Sequence, residues 1–362
     1  MLTNAPVIIF YESDNGKSIK NAIEQAYNSR LSFYAYREPW DPSVTIGTSE
    51  GLIEGLGEPG FVISRFDNDK PFITIPFANT KTNFSEKVNS ETQISASTSE
   101  EEYKNEVNEI INGAKKGEWD KIVAARVKIF DSKIDLGQTF FNLCTNNPNA
   151  FIFCFSTPLT GCWIGASPEL LLKSNGNSLT SMSLAGTKPL KEENNAIERV
   201  MQIWDKKNIK EQDIVTHYIK NIFSSHGIKA KAGETDEMAA GKVEHLCTII
   251  KGEKERSLTT ENLTSLLRDL SPTPALSGFP KEIAMKFISR HEKFSRECYG
   301  GFCGPYRNPD NFYFHVNIRC AKISDNRCSL FAGGGITADS NAEDEWNETE
   351  IKLKTMLSAL NI

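Results

Sequence analysis

The stretch AFIFCFSTPLTGCWIGASPELLLKS, Ala150 to Ser174, contains three short apolar runs, AFIFCFS, CWIGAS and ELLLKS, separated by turn-forming Pro, Thr and Gly residues. Runs this short and this rich in aromatic and branched side chains read as strands. The few residues between them allow hairpin-like connections, whereas a parallel pair needs a crossover of a dozen or more residues. A parallel dinucleotide-binding sheet is therefore not expected.

The same pattern extends in both directions. PVIIFY, LSFYAY, FVISRF and PFITIPF, all before residue 80, are strand-like runs bounded by turn formers. Residues 80 to 102 are polar and rich in Ser and Thr, and read as a connector. A helix starts at its end, with Ser99 and Glu102 in capping-box spacing and Tyr103, Val107, Ile110 and Ile111 on one face. KIVAARVKIF reads as a strand, followed by a short helix near Gly137 to Asn146 and, after the quoted stretch, two helices from about 192 to 225. Helices near 259–269 and 280–291, strands FYFHVNIRCAKI and RCSLFAG, and a C-terminal helix complete the reading. The expected fold class is α+β, with large antiparallel sheets in a sandwich-like core and helices packed outside.

The 362 residues carry 41 Lys and Arg against 47 Asp and Glu, a net charge of −6, and no basic footprint for nucleic acid or an anionic membrane. An anionic substrate would have to be held by a few placed cations or a metal. The start MLTNAPVIIFYESDNG has no basic region ahead of its short apolar run and reads as a strand rather than a signal peptide. No stretch approaches the ~20 apolar residues of a membrane span. The eight cysteines are scattered without a CxxC pair, which argues against a zinc site or disulfide framework and makes a reduced, cytoplasmic location the expectation.

Several charged residues occupy positions where charge is costly. In NIKEQDIVTHYIKNIF, Glu211 shares a helix face with Val215, Tyr218 and Ile222. A carboxylate pointed at a core must be paired, protonated or metal-bound, though in a first turn it can also favour the helix dipole. In EDEWNETEIKLK, Glu345, Glu348 and Lys352 form a strip beside the apolar stripe of Trp346, Leu353, Leu357 and Leu360. Carboxylates from two helices, completed by water, would suit magnesium; a solvated helix face is the plainer alternative. Glu169, in GASPELLLK, sits at the head of an apolar strand, where it is either an acid with a raised pKa or an exposed turn residue. Lys121, heading IVAARVKIF, is either a base or a strand-edge lysine reaching solvent. Glycine turns in SLAGTKP (Gly186, Thr187) and FAGGGIT (Gly333 to Gly335) offer backbone amides to an anion, without the context of a nucleotide site. Arg319 in HVNIRCAK could grip a carboxylate or form a surface ion pair, and His245 in VEHL reads locally as structural.

Taken in order, KIVAAR, GASPELLLK, SLAGTKP, KEQDIV, VEHL, SPTPALSGFP, YGGFCG, IRCAK, LFAGGGI and EWNETEIKL resemble the segments of chorismate-utilising enzymes, and the chain closely resembles isochorismate synthases. The resemblance covers roughly residues 100 to 362. It implies a chorismate-binding catalytic region over 96–362, with 1–95 a divergent N-terminal part of the same fold. It also implies a magnesium-dependent conversion of chorismate to isochorismate. On this resemblance Lys121 is the base that activates water for attack on ring carbon 2, and Glu169 the acid that protonates the departing hydroxyl at carbon 4. Glu211 and Glu348 are magnesium ligands, and Glu345 reaches the ion, often through water. Arg319 and Lys352 hold the enolpyruvyl carboxylate. Gly186, Thr187 and Gly333 contact the ligand, and His245 and Leu276 line the site near the ring.

Within the resemblance, Lys121 favours water over ammonia as nucleophile. Ala185 stands in SLAGT where aminodeoxychorismate synthases carry a lysine. Salicylate synthases, which add pyruvate elimination, share nearly all these residues, and a non-catalytic chorismate-binding subunit is an alternative of another class. Ser271 in SPTPA replaces the histidine of many relatives. The product is expected to feed menaquinone or siderophore biosynthesis. A monomer or weak homodimer is expected, with chorismate as ligand and neither nucleic acid nor membrane as partner.

Overall fold

The computed structural model describes residues 6–10, 13–67, 69–78, 94–190 and 204–360. The first part of the chain forms β1 (Val7–Phe10), helix α1 (Lys17–Asn28), β2 (Ser32–Arg37), β3 (Ser43–Ser49), β4 (Ile53–Glu54), β5 (Gly60–Ile63) and β6 (Ile73–Pro76). Next come α2 (Glu100–Lys115), β7 (Lys121–Phe130), α3 (Leu136–Asn146), β8 (Phe151–Thr157), β9 (Gly161–Ser167), β10 (Leu170–Asn175) and β11 (Ser178–Pro189). Helix α4 (Lys206–Ser225), β12 (Lys229–Ala240), β13 (Val243–Glu253), α5 (Thr260–Leu270), β14 (Gly278–Phe279) and α6 (Lys281–His291) follow. The last elements are β15 (Phe302–Asn308), β16 (Asn311–Val316), β17 (Cys320–Ser324), β18 (Arg327–Ile336) and α7 (Ala342–Leu357).

The described strands form two nine-stranded sheets, in the orders β1-β3-β2-β8-β9-β17-β18-β7-β14 and β12-β13-β11-β10-β16-β15-β5-β6-β4. Strict alternation explains the layering. In β2, Phe33 and Ala35 join the core under α1, α3 and α7, while Tyr34 and Tyr36 face the aromatic core between the sheets. In β8, Ile152 and Cys154 face the helices, and Phe151, Phe153 and Phe155 face inward. Tyr34 of the first sheet stacks on Phe61 of the second with centroids 5.3 Å apart, so the two sheets share one interior. Helices α2, α4, α5 and α6 cover a further core that takes side chains from both sheets.

The chain passes between the sheets at two places that position the site. Ser167–Leu170 carries it from β9 in the first sheet to β10 in the second, and Val316–Cys320 carries it back from β16 to β17. The two crossovers are bonded to each other and to the end of β9: Val316 N–H donates to Glu169 O at 3.0 Å, and Ala166 N–H of β9 to Arg319 O at 3.1 Å. The run FYFHVNIRCAKI, read above as strand throughout, is therefore two strands in two sheets, broken at Asn317–Arg319. Its apolar alternation continues through the break, which hides the break from a pattern reading.

Two further differences stand out. Helix α1 lies among the N-terminal runs read as strands; Ile19, Ala22, Ile23 and Ala26 form its buried stripe. The hairpin β12–β13 was not expected, because β12, KAKAGETDEMAA, is an exposed and charged edge strand. The helical reading from 192 is met by α4, while residues 191–203, like most of the polar connector before residue 94, lie outside the described residues. The helix after that connector begins as its spacing suggests, with a complete Ser99–Glu102 capping box. All eight cysteines are buried and unpaired, and no helix among the described residues is long and apolar enough to cross a membrane.

Candidate active site

Glu169 and Arg319, one on each crossover, face a cleft that is lined also by Gly186, Thr187, Glu211, His245, Leu276, Gly333 and Lys352. Nine of the twelve residues singled out from the sequence thus share one cavity, and Lys121, Glu345 and Glu348 stand immediately behind its wall.

Glu169 is 2% exposed, and its Oε1 has no hydrogen-bond partner. Burial pushes its carboxyl up to about 8, against the pull of Lys121 and Lys352. It is therefore a protonated acid at neutral pH in the lining of the cleft. The exposed-turn alternative is excluded for this residue.

Lys121 opens β7 with a wholly buried side chain, its Nζ 2.8 Å from Glu211 Oε1. The contact is an ion pair without hydrogen-bond alignment. Glu211 lies in the second turn of α4, 7% exposed. The start of α4 is anchored by Asp205, which caps it by accepting from Asn208 N–H at 2.8 Å, and by Asn208 Oδ1, which accepts from Thr187 N–H at 2.9 Å. That second bond is made at a bulge where the β11–β13 register shifts between Ala185 and Lys188. Gly186, at φ 68°, forms the bulge; a Cβ there would lie 3.1 Å from Asn208 Cβ in a backbone conformation L side chains rarely adopt. The glycine thus lets β11 dock on the helix that carries Glu211.

Arg319 is not in a strand. It occupies the crossover bend with φ 49°, a left-handed conformation that costs energy for a non-glycine residue. Its Nη2 donates to His245 Nε2 at 3.0 Å, so the proton of that imidazole is on Nδ1, which donates to Gly186 O at 2.8 Å. Burial and the neighbouring Arg319 and Lys352 charges push His245 down to about 3, so the ring is neutral. Burial also lowers Arg319, to about 10, which leaves it charged. Lys352 donates to Gly333 O at 2.8 Å and to Glu348 Oε1 at 2.6 Å. Leu276 is fixed by the buried Arg296, whose Nη1 donates to its carbonyl at 2.7 Å and whose Nη2 donates to Val123 O of β7 at 2.8 Å. Ser271 is 3% exposed and does not line the cleft; its carbonyl accepts from Lys281 Nζ at 2.9 Å.

The glutamates of α7 are not a solvated face. Glu345 is 2% exposed, with Oε1 accepting from Lys207 Nζ at 2.6 Å and Oε2 without a partner. Burial pushes Glu345 up, against Lys207; burial also opposes ionisation of Glu348, yet Lys352 and Lys207 hold that carboxyl below the usual range. A Cβ at Gly334 would lie 2.8 Å from Glu345 Oε2, and one at Gly335 would collide with Glu211 Oε1 and Lys121 Cε. Chemically, the buried Glu211 and Glu345 and the partly buried Glu348, with an orphaned oxygen on Glu345, fit a hard divalent cation such as Mg²⁺. Geometrically, among the described residues no three His, Cys, Asp or Glu are gathered closely enough to hold an ion as they stand. Each carboxylate is paired instead with a lysine: Glu211 with Lys121, Glu345 with Lys207, Glu348 with Lys352.

Three participants escaped the sequence reading. Lys207 precedes Glu211 by one helical turn, a spacing that could have revealed it. Tyr299, from YGGFCG, lines the cleft. Tyr103, read as a core residue of α2, places an unpartnered buried hydroxyl beside Glu345 and Glu348.

The cleft thus brings together two cations, a buried acid and a group of carboxylates beside it. Residues 71–361 match the family described as Chorismate binding enzyme, and the chain belongs to that family. It is 33% identical over 249 residues to the isochorismate synthase EntC of Escherichia coli K12, an alignment covering 67% of this chain and 63% of EntC. It is 32% identical over 279 residues to the vibriobactin-specific isochorismate synthase of Vibrio cholerae, covering 74% of this chain and 68% of that one. The crystal structure of DhbC from Bacillus anthracis superposes with a TM-score of 0.77 at 25% identity, over 94% of this chain and 99% of that one. The α+β fold with two antiparallel sheets is thus that of the family.

Proposed function

We propose that the protein is an isochorismate synthase, adding water at ring carbon 2 of chorismate and expelling the hydroxyl at carbon 4. The observation that carries this reading is the buried, protonated Glu169 in a cleft that also presents Arg319 and Lys352, with Lys121 close enough to act on the same carboxyl. Arg319, aimed by His245, and Lys352 bind the enolpyruvyl carboxylate. Acting as the neutral amine, with its ammonium proton first released, Lys121 takes the proton from the attacking water, and Glu169 gives its proton to the leaving hydroxyl, so protons balance over the reaction. Leu276 and Gly333 shape the cleft around the ring, and Gly186 and Thr187 offer polar contacts at its edge. Glu211, Glu345 and Glu348 would hold Mg²⁺, which supplies charge neutralisation for the ring carboxylate.

Relatives named as isochorismate synthases support the reaction. Ala185 in place of a lysine speaks against amination. The product is proposed to enter menaquinone or siderophore biosynthesis in the cytoplasm. The test is incubation of the purified protein with chorismate and Mg²⁺, with products resolved by chromatography. Isochorismate is expected; salicylate with pyruvate would assign the elimination reaction instead, anthranilate with ammonium the amination branch, and unchanged chorismate would defeat the proposal.

A further inference from the structure

We propose that Lys207 is a built-in substitute for the divalent cation: its ammonium closes the Glu211–Glu345–Glu348 cluster in the metal-free protein and leaves Glu345 when the ion binds. The inference rests on reading those carboxylates as the ion's ligands.

Lys207 and Glu211 share a face of α4, one turn apart, and Lys207 reaches across to α7, where its Nζ lies 2.6 Å from Glu345 Oε1. The other carboxylates around its ammonium are Glu211 and Glu348, so one unit charge lies among all three proposed ligands. The remaining lysines of the cluster have other duties. Lys352 lines the cleft and bonds Gly333 O, and Lys121 heads β7 against Glu211. Lys207 does not line the cleft and has no part in the acid–base chemistry proposed above.

Its role follows from the cost of burying charge. Glu345 is almost inaccessible, and a buried carboxylate without a counter-charge is strongly disfavoured. Lys207 satisfies one of its oxygens and leaves the other, Oε2, with no partner. A dication drawn to that carboxylate repels an ammonium on the same group. Mg²⁺ also demands a nearly complete oxygen octahedron, which an N–H donor cannot join. A lysine can retreat where a fixed group could not: the side chain is long and flexible, and 16% of it already reaches solvent. Uptake of the ion is then an exchange of cations rather than the filling of a bare acidic pocket.

The test uses the full chain, freed of metal by chelation. A short pulse of an amine-acylating reagent, read peptide by peptide by mass spectrometry, reports the accessibility of Lys207 during a Mg²⁺ titration at constant ionic strength, with and without chorismate. Acylation of Lys207 is expected to rise with the same midpoint as the calorimetric Mg²⁺ isotherm, while the surface residue Lys229 stays unchanged. Lys207→Met is expected to bind Mg²⁺ more tightly, by roughly tenfold or more, because a competing charge has been removed. Calorimetric Mg²⁺ binding with no rise in Lys207 acylation, or weaker binding by a folded Lys207→Met, would overturn the exchange while leaving the ion's site in place. Absence of Mg²⁺ binding by the wild-type protein and the variant alike would remove the metal assignment itself, and this inference with it. The wild-type acylation experiment decides the matter even if the variant does not fold.

Discussion

Lys121 and Glu211 meet at 2.8 Å at the wall of the cleft, one from the first residue of β7 and the other from helix α4. Lys121→Met should lower turnover by about 10²- to 10⁴-fold, the usual contribution of a positioned base. Chorismate affinity should change far less, because Arg319 and Lys352 remain. Product formation by chromatography, beside calorimetric binding, separates the two; equal losses in both would deny Lys121 its role as a base.

Glu169→Gln keeps the shape and neutrality of the acid but not its proton, so catalysis should fall by a similar order. Stability should move the other way. The folded carboxyl sits at about 8 against an ordinary value of 4.5, so the native state holds a proton that the unfolded chain has released. Wild-type stability therefore falls by roughly 1.4 kcal/mol for each pH unit between those two values. The glutamine variant is spared that fall, so its advantage in urea unfolding should grow up to about pH 8 and then level off. A constant difference across the range would mean that Glu169 is not held neutral.

The wild-type enzyme should correspondingly lose kcat/KM as pH rises through about 8, where Glu169 releases its proton. A profile still rising at pH 9 (roughly one unit beyond) would exclude it as the acid.

Arg319→Lys retains the charge but loses the planar fork and the bond to His245 Nε2. We expect KM for chorismate to rise by about tenfold, the equivalent of 1.4 kcal/mol, with a smaller change in kcat. Unaltered steady-state kinetics would show that the arginine is not a carboxylate anchor.

Gly335→Ala forces a methyl group into Glu211 Oε1 and Lys121 Cε. Overpacking of this kind costs about 1–3 kcal/mol. Thermal unfolding should shift down, and activity should fall further than stability alone explains, since base and proposed metal ligand move together. A variant with wild-type melting and turnover would contradict the packing described.

The parts of this molecule that were legible in the sequence are those where local pattern and tertiary role agree. The capping box at Ser99, the amphipathic α2, and the alternation in β2 and β8 follow from the residues themselves. The site was legible through residues that break a pattern, such as Glu169 before an apolar strand or Glu211 on an apolar face. What escaped depended on partners far along the chain. The left-handed bend at Arg319 is met by β9, where Ala166 N–H donates to the Arg319 carbonyl. The depth of Glu345 depends on Lys207, more than a hundred residues earlier in the chain. The N-terminal strands bear no motif, because they serve as scaffold and any alternating apolar run would suffice.

The order of strands has a consequence for how the protein comes into being. In the first sheet, β17 and β18 lie between β9 and β7; in the second, β15 and β16 lie between β10 and β5. Neither sheet can close around its early strands until nearly the whole chain has left the ribosome. Waiting edges are exposed meanwhile, and pairings so distant in sequence form slowly. Newly made protein should therefore mature only once β15 to β18 have emerged, with chaperone dependence greatest just before they do.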